Sequence, residues 1–168
     1  MNLQQQQLES FVECLRSELQ GYGELLALME TQQSQIMSRD LTRIESTTQK
    51  INEQFKVIQD LRKIRSNQQA QISISTGLVP DATYKEQRDF FPNEFRNLTD
   101  ALVEENNALL KEVKVKAKQN QMLLFRTTEM MQEFINHLLP RNEVQSYNAK
   151  GAKQSTRVEK TNLYEAMG

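Results

Sequence analysis

A chain of 168 residues has the length of one domain, about 100–200 residues being usual. Hydrophobic residues make up 38 % and charged residues 26 %, which suits helices that each bury one stripe better than a thick globular core. The formal charge is −1, 21 Lys plus Arg against 22 Asp plus Glu, which argues against a protein that tracks nucleic-acid phosphates.

No run of 18 apolar residues is present, so no membrane insertion is expected. The opening "MNLQQQQLES" has neither basic residues nor an apolar centre and does not read as a secretory signal. A lone Cys14 cannot form an internal disulfide, which fits a reducing, cytoplasmic location. Neither glycine nor proline occurs between Gly23 and Gly77, or between Pro92 and Pro140. Those gaps exclude a strand-rich fold, which needs a turn every 8–12 residues or so. They are filled with Leu, Gln, Glu, Lys and Met, all good helix formers. The expected fold is all-α: an elongated antiparallel bundle of three to four long helices, with a flexible C-terminal tail.

In chain order, Leu8, Phe11/Val12, Leu15, Leu19, Tyr22, Leu26 and Met29 form a helical stripe that lapses at Thr31–Gln35. It resumes through Met37, Leu41, Ile44, Ile51, Phe55, Ile58 and Leu61. As one helix, Leu3–Ser73 would be about 105 Å long and leave much of its stripe unpartnered. A hairpin is therefore preferred to a single helix, turning near Gln35–Asp40 with Ser38 or Asp40 as N-cap. A connector, 75–91, holds Gly77, Pro80 and a short helix near Thr83–Arg88. Pro92 suits the first turn of a last helix, whose stripe runs Leu98, Leu102, Leu109, Val113, Ala117, Leu124, Thr127, Met131, Phe134 and Leu138. Pro140 ends it. The expected organisation is a bundle over 1–140, with helices at about 3–37, 39–74 and 92–139, and a tail over 141–168.

Catalytic chemistry finds little support. His137 is the single histidine, and with Cys14 it lacks a recognisable third orienting group. No CxxC, HxxxH or glycine-rich phosphate loop occurs, so neither a metal nor a cofactor is expected. Glu104–Glu105 reads as a solvated face. So does "KEVKVKAK" (Lys111–Lys118), where Glu112 offsets the lysines and no nucleic-acid role is expected.

Binding is better supported. In "QMLLFRTTEMMQEFINHLL" (121–139) apolar residues spread well beyond one 100° stripe, which serves either two bundle neighbours or a groove for a partner helix. Unbranched methionines suit a surface that repacks around an incoming helix. Asn106 and Asn107 interrupt the stripe. A buried Asn would fix register and an exposed one would be unremarkable. The tail "EVQSYNAKGAKQ" (143–154) places Tyr147 four residues before Gly151, either as frayed sequence or as a recognition latch.

Several strings together resemble the FlgN-type flagellar export chaperones: "YGELLALMETQQSQIMSRDLTRIES" (Tyr22–Ser46), "LRKIR" (Leu61–Arg65), "ENNALLKEV" (Glu105–Val113) and "SYNAKG" (Ser146–Gly151). The resemblance spans most of residues 8–151; the connector and residues 152–168 find no counterpart. It implies a cytoplasmic, non-enzymatic helical bundle. Such a chaperone would bind C-terminal helices of unassembled hook-associated (hook–filament junction) proteins, prevent their aggregation and deliver them to the type III flagellar export gate. The family's use of its C-terminal helix and tail, combined with the apolar face read here, points to Met130, Met131, Phe134, Ile135, Leu138, Leu139, Tyr147 and Gly151 as client-binding residues. The alternative is a structural coiled-coil adaptor that self-associates through the same stripes without a client.

Overall fold

The computed structural model describes residues 3–138, with side chains from Gln5 to His137. The described residues form three long helices, one short helix and a 3-10 turn, with no strand among them. α1 spans Leu3–Ser38, α2 Leu41–Ser75, α3 Tyr84–Gln87 and α4 Asn93–Leu138, and the 3-10 turn is Arg88–Phe90. The chain divides into two units after Thr128.

In the first unit α1 and α2 are separate helices joined by a tight turn. The turn is a left-handed cap in which Asp40 N–H reaches Gln35 O and Arg39 N–H reaches Ile36 O, both at 3.1 Å. Arg39 holds the positive φ (57°) that a glycine usually supplies. Asp40 Oδ1 then accepts from Arg43 N–H at 3.2 Å and opens α2. At the other end of α2, Gly77 (φ 78°) and Leu78 turn the backbone away, Leu78 N–H bonding Ser73 O at 2.8 Å.

Helix directions follow from the contacts. Gln32 meets Thr48, Gly21 meets Gln54 and Glu18 meets Arg65, so α1 and α2 run antiparallel. Asn106 reaches Leu15 and Asn120 reaches Met29, each 91 positions away, so α4 runs parallel to α1. The unit is an up-down-up helical bundle, the all-α fold anticipated from the glycine-free, leucine-rich gaps.

Two apolar clusters fill it. One gathers Leu8, Phe11, Val12 and Leu15 of α1 with Ile72, Phe91 and Leu102; the other gathers Tyr22, Leu25 and Met29 with Ile58 and Val113. Phe11, Tyr84 and Phe91 meet pairwise at ring-centroid separations of 6.2–6.4 Å, tying the connector to the start of α1. Fully buried Gln87 donates to Gln69 O at 2.9 Å and to Ser73 Oγ at 2.5 Å, fastening the connector to α2. Arg88 pairs with Asp100, which also accepts from Tyr84 Oη at 2.6 Å. Those two donors hold the Asp100 carboxyl below its usual range, the guanidinium first. Burial, then the bond to Asp100, pushes the Tyr84 phenol up to about 12.

Several stripe residues lie off the packed face. Met37 (74 % exposed) and Leu41 flank the turn, and Phe55 and Leu98 are also exposed. A 3.6-residue helix drifts relative to a strict seven-residue repeat, so a stripe that touches its neighbour at one level rotates off it at another. Pro92 precedes α4 rather than sitting in its first turn: its carbonyl accepts the first helical bond, from Arg96 N–H at 2.9 Å.

Candidate functional site

The candidate face belongs to the second unit, from Glu129 on, where α4 continues to Leu138. At about 100° per residue, Met130, Phe134, Leu138, Met131 and Ile135 fall in that angular order across an arc of about 140°. Glu129, Gln132, Glu133, Asn136 and His137 occupy the rest of the circumference. That segregation makes the segment amphipathic. Met130 (57 %), Met131, Phe134 (63 %) and Ile135 are all exposed. On the polar side, Gln132 Nε2 donates to Asn136 Oδ1 at 3.3 Å, and His137 Nδ1 lies 2.8 Å from Glu133 O, the position of a back-bonded imidazole N–H. His137 is thus engaged by its own helix.

Of the remaining residues assigned from the sequence, Leu138 lies in α4 by its backbone. Leu139, Tyr147 and Gly151 fall outside the described residues.

In the first unit the apolar stripe of α4 is covered. Leu102, Asn106, Val113 and Asn120 are buried along it, with Leu109, Leu123, Leu124 and Thr127 half-buried. In sequence the stripe runs on in the same register through Met131, Phe134 and Leu138.

Between the two apolar clusters of this unit lies a polar layer. Glu18, 3 % exposed, accepts from Arg65 Nε at 2.5 Å, and Arg65 also donates to Gln69 Oε1 at 3.1 Å. Asn106 Nδ2 donates to Leu15 O at 2.9 Å in the same layer. A cleft of about 180 Å³ opens beside it, with Phe11 and Leu15 among its apolar lining and Arg62 and Tyr22 among its polar lining. Burial, then the nearby Glu18 charge, pushes up both the Tyr22 phenol and the Cys14 thiol, so the thiol stays in its unreactive protonated form. A second layer follows at Gln32, Thr48 and Asn120. Asn120 Nδ2 donates to Met29 O (2.7 Å) and Gln32 Oε1 (3.0 Å), and Gln32 Nε2 donates to Thr48 Oγ1 (2.9 Å).

Asn106 is the buried member of the pair singled out in the sequence, and Asn107 is exposed. Asn120 and Glu18 were missed. For Asn120 a signal existed: it stands two heptads after Asn106 on the same stripe. Among the described residues no group of three His, Cys, Asp or Glu is placed to hold a metal ion, and no helix is long and apolar enough to cross a membrane.

A model of the FlgN protein family matches residues 1–155. The chain belongs to the FlgN family. No curated protein and no solved structure gives a significant match. FlgN proteins are flagellar export chaperones, and membership implies binding to flagellar substrate proteins. The match takes in all of α1 to α4 as well as Tyr147 and Gly151.

Proposed function

We propose that this FlgN-family protein acts in the cytoplasm as a chaperone for hook-associated (hook–filament junction) proteins. It binds their C-terminal helices before assembly, prevents their aggregation and hands them to the flagellar type III export gate. The observation that carries this reading is the exposed arc of Met130, Met131, Phe134 and Ile135 on a helix whose other face is polar. A client helix laid along that arc buries apolar surface on both partners and shields the client stripe from self-association. The methionines let one face adapt to more than one client. Leu138 and Leu139 extend the arc in sequence, and Tyr147 and Gly151 serve as a latch within a client-binding tail, 141–168, that follows a bundle over 1–140. Ordering a tail on binding spends part of the interaction energy, which favours release at the gate.

The test is calorimetric titration of the full chain with a synthetic peptide of a hook-associated protein's C-terminal helix. Replacing Met131→Lys and Phe134→Glu together should leave helicity unchanged, since both side chains are exposed. It should weaken binding at least tenfold, two anchors being worth about 1.5–3 kcal/mol each when fully buried. Unchanged affinity would refute the assignment. A stable oligomer that these substitutions dissociate, without any peptide binding, would favour the self-associating adaptor.

A further inference from the structure

We propose that Asn106 and Asn120 form a two-point key that sets the stagger of α4 on α1.

Both residues occupy positions where an apolar side chain would pack, Asn106 between Leu102 and Leu109 and Asn120 between Val113 and Leu124. Both are nearly inaccessible, at 7 % and 2 % exposure. Each donates its amide N–H to a mid-helix carbonyl of α1, Leu15 O and Met29 O, at the same separation of 91 positions. Each leaves its own Oδ1 buried with no hydrogen-bond partner among the described residues. An apolar residue would carry no such penalty, so stability is not what these amides serve. A polar residue at a buried seam position is the established way for packed helices to specify register.

The surroundings make the key specific. Mid-helix carbonyls recur along α1, and Leu8, Leu15, Tyr22, Met29 and Ile36 repeat at seven-residue steps, so the apolar pattern alone tolerates a slip of one heptad. The polar layers do not. In the observed stagger Asn106 lies in the layer of Glu18 and Arg65, and Asn120 bonds Gln32, which bonds Thr48 of α2. A slip of seven towards the start of α1 would bring the two amides to Leu8 and Tyr22, at the level of Phe11 and Leu25 instead of Glu18 and Gln32. The Asn120–Gln32–Thr48 chain, which joins all three long helices, would break. Because the two keys stand fourteen residues apart, the opposite single-heptad slip also misplaces both.

Cysteine cross-linking in the full chain, with Cys14→Ser, tests the stagger directly. Gly23 lies against Leu109, a Cβ on it falling 4.0 Å from Leu109 Cδ2. The pair Gly23→Cys and Leu109→Cys therefore reports the observed stagger, and Gly23→Cys with Lys116→Cys reports the one-heptad slip. With both asparagines present, only the first pair should cross-link. Adding Asn106→Leu and Asn120→Leu should raise the melting temperature, lose that exclusivity and make the second pair cross-link. Exclusive cross-linking of the first pair in the double-Leu protein would overturn the key.

Discussion

The Glu18–Arg65 pair gives the sharpest energetic test of the polar layers. Glu18 carries a side chain only 4 % exposed, and its partner guanidinium is 25 % exposed. Arg65→Ala removes the 2.5 Å bond to Glu18 and the 3.1 Å bond to Gln69, leaving a carboxylate between two apolar clusters. Breaking a buried pair from one side costs about 3–5 kcal/mol, and the partial exposure of Arg65 places this case near the lower end. Against a total stability of about 5–15 kcal/mol, a loss of about 3 kcal/mol lowers the melting temperature by roughly 10 °C. Glu18→Leu with Arg65→Met should come out close to neutral or above wild type, because two charges no longer have to be desolvated. Urea denaturation of wild type, Glu18→Ala, Arg65→Ala and the variant carrying both alanines, followed by circular dichroism, supplies the double-mutant cycle. An Arg65→Ala cost below about 1 kcal/mol, with coupling near zero, would show that solvent reaches the pair as it does at a surface bridge and would refute the buried polar layer.

Asp100 should contribute an acid-labile increment. Its folded pKa is depressed by Arg88 and then Tyr84, so its stabilisation is present above the unfolded value of about 3.9 and is lost as pH falls through the lower folded value. Urea midpoints measured downward from about pH 5 should therefore fall more steeply for wild type than for Asp100→Asn, modestly, because both Asp100 and Arg88 are about a third exposed. Arg39 and Gly77 both hold left-handed φ values and should respond with opposite signs. Arg39→Gly should stabilise by up to about 1 kcal/mol, whereas Gly77→Ala should destabilise by about 1 kcal/mol; equal signs in thermal melts would contradict the backbone argument. Amides of Glu129–His137 should exchange with deuterium faster than those of Leu102–Asn120, and slow on addition of the hook-associated helix peptide.

The helices themselves were readable because long stretches free of glycine and proline carry a three-four rhythm that no strand can bear. The sequence offered Ser38 or Asp40 as the cap of α2, two short polar side chains in the expected turn, and Asp40 takes the position. Stripe membership was less legible. Met37, Leu41, Phe55 and Leu98 keep the right spacing yet lie exposed, because spacing fixes an angle on a helix but not where its neighbour ends. Glu18 was invisible for the converse reason: a lone glutamate among leucines looks like solvated polarity until Arg65, 47 residues later, is brought against it. On the candidate face, Met130, Met131, Phe134 and Ile135 could be named because apolar and polar residues separate cleanly around the helix. Tyr147 and Gly151 were picked from their spacing in a polar stretch and from a family likeness, neither of which supplies a packing argument.

The polar layers answer a physical problem. A helix with a continuous apolar stripe gains by covering it, and a heptad-repeating α1 offers several staggers to an apolar stripe. Asn106 and Asn120 remove that freedom: at the observed stagger Asn106 lies in the layer of Glu18 and Asn120 bonds Gln32, and one heptad away both partnerships are lost. They weaken the core they interrupt, and Asn106 Oδ1 and Asn120 Oδ1 stay unpaired even so. A chain selected for stability alone would fill those positions with leucine. Their presence is what is expected where helix register is specified at a cost in stability.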